Sequence, residues 1–183
     1  MIYAFLAQGF EETEAIAPID LLRRCEKEVI TVGIGDNIIK SSHGVPMVTD
    51  TEDKLIELNK DLEMIILPGG MPGTINLEAS EVVQKTIDYC VENDIFIGAI
   101  CAAPSILGHK GLLKGKKAVC YKGYEQELEG AEVLHDVPAV TDGKIVTARG
   151  AGAAIDFGLE LIEALISKER RVKMEEAILW SKA

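Results

Sequence analysis

The chain has 183 residues, a length that fits one domain able to bury a substantial core without cross-links. Apolar residues make up 48% of it and charged residues 27%, the balance of a compact globular protein. A net charge of −11 repels polyanions and argues against nucleic acid or an anionic membrane as a partner. Lys168, Arg170, Arg171 and Lys173 do cluster, but acidic neighbours flank them, so the run reads as a solvated helix end. The apolar run Ile2–Ala7 is too short to span a membrane and has no basic segment before it. The cysteines at 25, 90, 101 and 120 lack the Cys-x-x-Cys spacing of a zinc site. Reduced thiols, a cytoplasmic location and no metal or cofactor are therefore expected.

In chain order, Ile2–Ala7 predicts a strand and Glu14–Cys25 a helix with Ile16, Ile19, Leu21 and Leu22 along its apolar stripe. Val29–Ile34 is a second strand, ended by the turn Gly35-Asp36-Asn37. Gly44 and Pro46 interrupt Lys40–Asp50, which reads as an irregular extended excursion, and Leu55–Leu58 as helical. The run Met64–Leu67 has the unbroken apolar character of a buried parallel strand and stops at Pro68-Gly69-Gly70-Met71-Pro72-Gly73. A helix over Glu81–Asn93, a strand over Ile95–Ile100 and a helix from Cys101 to about Leu107 follow. Shorter strands are predicted at Ala118–Tyr121, Ala131–Leu134 and Lys144–Ala148, then helices over Ala153–Ser167 and Arg171–Trp180. No repeat or linker divides the chain, so one domain is expected over residues 1–183. Alternating strands and helices predict an α/β fold with a mostly parallel sheet covered on both faces. Ligands of such sheets bind at the carboxyl ends of the strands.

The stretch Gly98-Ala99-Ile100-Cys101-Ala102-Ala103-Pro104 puts a thiol where a buried strand hands over to a helix. Small neighbours permit a sharp turn, and unpaired N–H groups at a first helical turn lower a thiol pKa. The pattern fits a reactive Cys101 and, equally, a buried structural one. Gly69-Gly70 is either a tight turn or, with the amide of Ala102, an oxyanion hole beside the thiol. Glu11 and Glu12 read as capping residues of the first helix. Glu14, one turn in, is expected to be partly buried, and burial would hold it protonated as a donor to a thiolate. His109 falls eight residues after Cys101, beyond hydrogen-bond reach, and neither His43 nor His135 shows a link to it.

Taken together, Gly9-Phe10-Glu11-Glu12-Thr13-Glu14, Leu67-Pro68-Gly69-Gly70, Ala99-Ile100-Cys101-Ala102-Ala103-Pro104 and the run from Thr147 to Phe157 resemble the DJ-1/ThiJ/PfpI superfamily, most nearly its DJ-1/ThiJ branch. The four motifs occur in the family's order across nearly the whole chain. The resemblance implies a flavodoxin-like three-layer sandwich, a homodimer, and a nucleophile at Cys101 hydrogen-bonded by Glu14. It implies backbone donors at Gly69, Gly70 and Ala102, and a place for Arg24 near the dimer interface. Peptidases of the PfpI type carry His directly after the cysteine; Ala102 stands there instead, which discounts proteolysis. The family's animal members carry a site histidine in the segment matching Gly130-Ala131-Glu132, where this chain has Ala131, with His135 four residues on.

The function implied is glutathione-independent conversion of small α-oxoaldehydes or their adducts, as a glyoxalase or deglycase. A redox-sensing, stress-protective protein using oxidation of Cys101 is the alternative, and a chaperone-like module without chemistry a third. The expected partners are a small carbonyl substrate and a second copy of the chain.

Overall fold

A computed structural model describes residues 1–181. Its strands are β1 (Ile2–Leu6), β2 (Val29–Gly33), β3 (Ile38–Lys40), β4 (Pro46–Val48), β5 (Thr51–Glu52), β6 (Met64–Leu67), β7 (Phe96–Ile100), β8 (Lys117–Ala118), β9 (Glu132–Val133), β10 (Ala139–Asp142) and β11 (Ile145–Ala148). Its helices are α1 (Glu12–Arg24), α2 (Gly73–Ala79), α3 (Glu81–Glu92), α4 (Pro104–His109), α5 (Ala154–Leu165) and α6 (Lys168–Ala177). Among the described residues, seven strands form the central sheet in the order β10-β11-β7-β6-β1-β2-β5. Every neighbouring pair is parallel except β10 with β11. The expected mostly parallel sheet with helices on both faces is the fold observed.

Alternation along the strands divides the core in two. Tyr3, Phe5, Ile65, Leu67, Ile97 and Ala99 face one way, against α2, α3 and α4 through Leu77, Val83, Ile87 and Ile106. Ile2, Ala4, Leu6, Met64, Ile66 and Ile100 face the other way, against α1, α5 and α6 through Ala15, Leu22, Phe157, Leu161 and Met174. Phe157, Leu161 and Ile162 of α5 are wholly buried, and burial of each such side chain contributes roughly 1.5–3 kcal/mol. Where α5 crosses α1 the helices touch through Gly158, whose missing Cβ leaves room for Leu21 and Pro18. No helix among the described residues is long and apolar enough to cross a membrane.

Several local expectations need correction. The first helix starts two residues early, at Glu12, and Ile16 stands 48% exposed because it lies off the Ala15–Pro18–Leu22 stripe. Lys40–Asp50 is largely one arm and turn of the antiparallel hairpin β3–β4, paired Ile38 with Val48. Leu55–Leu58 is not helical: a single 3₁₀ turn over Asp53–Leu55 gives way to extended backbone at Ile56, too short a run to nucleate a helix. The helix α2 and the strand β10 are additional. The last helix runs Lys168–Ala177 rather than Arg171–Trp180, because Ser167 caps it by accepting from the Arg170 N–H at 3.2 Å. Arg171 is not solvated: it pairs with Glu160 (2.8 Å), Glu163 (2.9 Å) and Glu175 (3.0 Å).

Candidate active site

Register brings the site together. Leu67 of β6 lies beside Ala99 of β7, and Ile100 beside Ala148 of β11. The segments that follow these residues (Pro68-Gly69-Gly70, Cys101, and Arg149-Gly150) therefore leave the sheet side by side at its carboxyl edge. From β1 the chain crosses to β2 on one side, whereas β6 leads to β7 on the other. The crevice between β1 and β6 is thus the topological switch point, and α1 begins directly above it.

Cys101 departs from the strand pattern in an informative way. Continued alternation would turn its side chain toward Ile97 and Ala99. Instead its φ of +66° swings the thiol to the opposite face, where it packs with the cluster that includes α1. Left-handed backbone costs a residue with a Cβ about 1–2 kcal/mol, so the surroundings must enforce it. They do so through three hydrogen bonds. The Cys101 N–H donates to Ala148 O (2.9 Å), Cys101 O accepts from the Tyr121 N–H (2.7 Å), and the Ala103 N–H closes on Ile100 O (3.1 Å). Helix α4 begins only at Pro104, so the thiol stands outside the first helical turn in which it was expected.

On that opposite face, α1 presents Glu14, 1% exposed rather than partly buried. Glu11 caps the helix by accepting from the Glu14 N–H at 2.7 Å, and its own N–H donates to Gly69 O at 2.9 Å. The carboxyl of Glu14 accepts from the Gly69 N–H at 3.0 Å and from the Ala151 N–H, and contacts the Cys101 thiol. Gly69 is required here, since a Cβ would come within 2.6 Å of both Cys101 Cβ and Glu14 Oε2. Gly70 has φ +91°, and a Cβ there would run into the Glu11 amide. The amides of Gly70 and Ala102 favour the charged form of the sulfur, whereas that of Gly69 serves the carboxyl. The expected set of backbone donors thus splits between two acceptors.

Burial raises the Glu14 carboxyl to about 7, assisted by the Glu11 charge and opposed by the hydrogen bonds from Cys101, Gly69 and Ala151. Burial likewise pushes the Cys101 thiol up to about 12, reinforced by the ionised form of Glu14 and opposed by the Ala102 and Gly70 amides. The helix terminus expected to lower the thiol begins only at Pro104, and burial outweighs the amides that do favour the charged sulfur. Both groups thus favour their neutral forms, and wherever Glu14 is ionised its carboxylate accepts a hydrogen bond from the thiol.

The other predicted residues fall elsewhere. Arg24 ends α1 and pairs with Asp20 (2.7 Å), ten residues and so about 15 Å along the helix from Glu14. Within one chain it does not reach the thiol. His43 sits at the rim against Glu12 (3.2 Å), and with Glu11 brings three ligand atoms close together. Glu11 is already committed to the Glu14 amide. His109 is held between Glu78 (2.5 Å) and Glu127 (2.8 Å), away from the sulfur as expected. Ala131 packs on the core beneath β9, while His135 lines a cleft.

That cleft is the part sequence reasoning did not reach. It encloses about 620 Å³ between the Cys120–Lys122 segment, the Leu134–His135 segment and the strap Arg149–Ala153. Cys101 does not line it directly. Tyr121, whose amide holds the Cys101 carbonyl, forms one wall. Gly150 and Ala151, which back the Glu14 carboxyl, form another. The run Thr147–Phe157 had signalled that the strap matters, but not that Arg149 opens into a cavity.

Known proteins match most of this chain. The DJ-1/PfpI family pattern matches residues 1–164. The chain is 34% identical over 172 residues to the Arabidopsis thaliana protein DJ-1 homolog B, covering 92% of this chain but only 39% of that protein. It is 31% identical to the Caenorhabditis elegans glutathione-independent glyoxalase DJR-1.2, over 87% of this chain and 85% of the relative. The crystal structure of Drosophila melanogaster DJ-1beta superposes with a TM-score of 0.92 at 30% identity, covering 99% of this chain and 98% of that one. By the extent of these matches and by its fold, the chain belongs to the DJ-1/PfpI family.

Proposed function

We propose that the protein is a cysteine-dependent enzyme that converts small α-oxoaldehydes to hydroxy acids without glutathione. The observation that carries this reading is the Cys101 thiol turned by its positive φ onto the buried Glu14 carboxyl. A carboxylate with a pKa near the operating pH is suited to general-base work. With methylglyoxal, Glu14 takes the thiol proton as sulfur bonds to the aldehyde carbon. The amides of Gly70 and Ala102 stabilise the alkoxide, which is protonated to a hemithioacetal. Glu14 then moves a proton from the aldehyde carbon to the adjacent one, leaving a thioester. Water cleaves the thioester, releasing lactate and regenerating the thiol, so the net change is addition of one water. The same attack on aminocarbinol adducts would give deglycase activity. The relative named a glutathione-independent glyoxalase supports this reading. Lactate formed in glutathione-free buffer tests it: Cys101→Ser should reduce turnover to background, and unchanged turnover would sink the mechanism.

Oxidation of Cys101 is a second reading, favoured by its exposure. Cys25, Cys90 and Cys120 are buried, whereas Cys101 is half-buried. A similar structure, 32% identical, is that of an oxidized Toxoplasma gondii DJ-1. Intact mass after mild peroxide should show added oxygen on Cys101 before the other three.

In the same reading, residues 1–183 act as one domain, in the cytoplasm, as a homodimer. Ile16, Asp20 and Arg24 share one stripe of α1, and the exposure of Ile16 supports that stripe as the subunit contact.

A further inference from the structure

The 620 Å³ cleft is much larger than a three-carbon aldehyde requires, and its charge is out of keeping with the rest of the molecule. The chain carries a net charge of −11, and its other arginines are engaged. Arg23, Arg24 and Arg171 form ion pairs, and Arg170 donates to Arg24 O. Among the described residues neither Arg149 nor Lys122 forms an ion pair, and both line the cleft, as does His135. The Arg149 guanidinium has one long contact, to His135 O at 3.5 Å, which leaves its donors open. Glu125, the acidic residue of the lining, accepts from the Gly123 N–H at 2.8 Å and offsets part of the Lys122 charge, which leaves Arg149 as the lining's principal open cation.

An open guanidinium beside an ammonium is a receptor for a carboxylate or phosphate oxygen. We propose that the substrate attacked by Cys101 carries an anionic terminus, carboxylate or phosphate, which binds Arg149 and Lys122 while the carbonyl reaches the sulfur past Tyr121 and Gly150. The proposal rests on the reading of Cys101 as a nucleophile and adds to it the class of substrate. Arg149 is a specificity residue here, and the strap Gly150–Ala151 couples it to the Glu14 carboxyl.

Two measurements separate this from the underlying reading. The first compares methylglyoxal with 4,5-dioxopentanoate, an α-oxoaldehyde ending in a carboxylate. Wild type should favour the latter in kcat/KM, and Arg149→Gln should lower kcat/KM for it about tenfold more than for methylglyoxal, the size of one charge-assisted hydrogen bond. Arg149→Lys should recover part of that difference. Inorganic phosphate should compete with 4,5-dioxopentanoate in wild type if the site also accepts phosphate; its failure to compete restricts the terminus to carboxylate. The second needs no turnover: the rate of Cys101 alkylation by iodoacetate divided by that by iodoacetamide. Arg149→Gln and Lys122→Gln should each lower this ratio. Equal losses on both aldehydes with an unchanged ratio would overturn the anionic terminus and leave the Cys101 reading standing. If wild type turned over neither aldehyde, that reading would fail and the alkylation ratio alone would decide the anion site.

Discussion

Cys101 stands between two unlike neighbourhoods. On the α1 side, Glu14 and Gly69 are buried and hydrogen-bonded to each other, and neither Gly69 nor Gly70 has room for a Cβ. On the strap side, Tyr121, Lys122, His135 and Arg149 border an open cleft in which, among the described residues, neither Lys122 nor Arg149 forms an ion pair. On the function proposed above, the contrast separates chemistry from recognition. Proton transfer needs groups held within a fraction of an ångström, so the acid–base pair is built into helix and strand ends. Substrate selection tolerates loops and side chains free to reorient.

The largest effect expected from breaking the packed side is Glu14→Gln. General-base contributions run to about 10²–10⁴-fold, so kcat should fall by that factor, and the rise in rate with pH near 7 should vanish. Stability should move the other way. The Glu14 carboxyl binds its proton more tightly folded than unfolded, so its contribution to stability is present at low pH and lost as pH rises from about 4.5 through about 7. Gln carries no charge to bury. Urea unfolding should therefore find Glu14→Gln more stable than wild type at about pH 8 by roughly 1–3 kcal/mol and little different at about pH 4.

A comparison of glycines across the two sides comes next. Gly69→Ala forces a Cβ against Cys101, Glu14 and the Ile100 carbonyl and should cost about 1–3 kcal/mol, the range for overpacking. Gly152→Ala, on the strap, meets nothing within 4 Å and should alter stability by no more than about 0.5 kcal/mol. Equal thermal shifts for the two variants would erase the distinction between the neighbourhoods.

The smallest effect concerns His109, which ties α2 and the turn over Glu125–Glu127 to α4. Its hydrogen bonds to Glu127 and Glu78 raise its pKa, so the clamp is complete below about 6.5 and is lost as pH rises through the higher folded value. His109→Gln should cost under about 1 kcal/mol at pH near 6, the scale of a half-exposed ion pair, and nothing at pH near 9. A denaturant midpoint that shifts equally at both values would assign His109 a packing role only.

Much of the packed side was legible in the sequence. Met64–Leu67 and Gly98–Ile100 are apolar in a way only buried strands tolerate, and the residues after them had to surface at the sheet's carboxyl edge. That Glu14 meets Cys101 was implied by family resemblance, not by spacing. The reason lies in one dihedral: strand alternation would have pointed the thiol away from α1, and no local pattern announces a left-handed cysteine. The open side was less legible because its parts are short. β8 and β9 have two residues each, β10 borders an edge, and Tyr121, His135 and Arg149 are distant in the chain. They converge only because β8 and β9 pair in parallel and Tyr121 hydrogen-bonds to the cysteine.

The left-handed backbone at position 101 also bears on how the protein can change. Glycine is the one residue that adopts this conformation freely, so Cys101→Gly should relieve strain at the cost of the thiol. Selection for heat resistance alone would drift toward that replacement. A screen that rewards only survival of the fold would thus tend to erase the thiol, and an intact cysteine at this elbow is a mark of selection for something other than endurance.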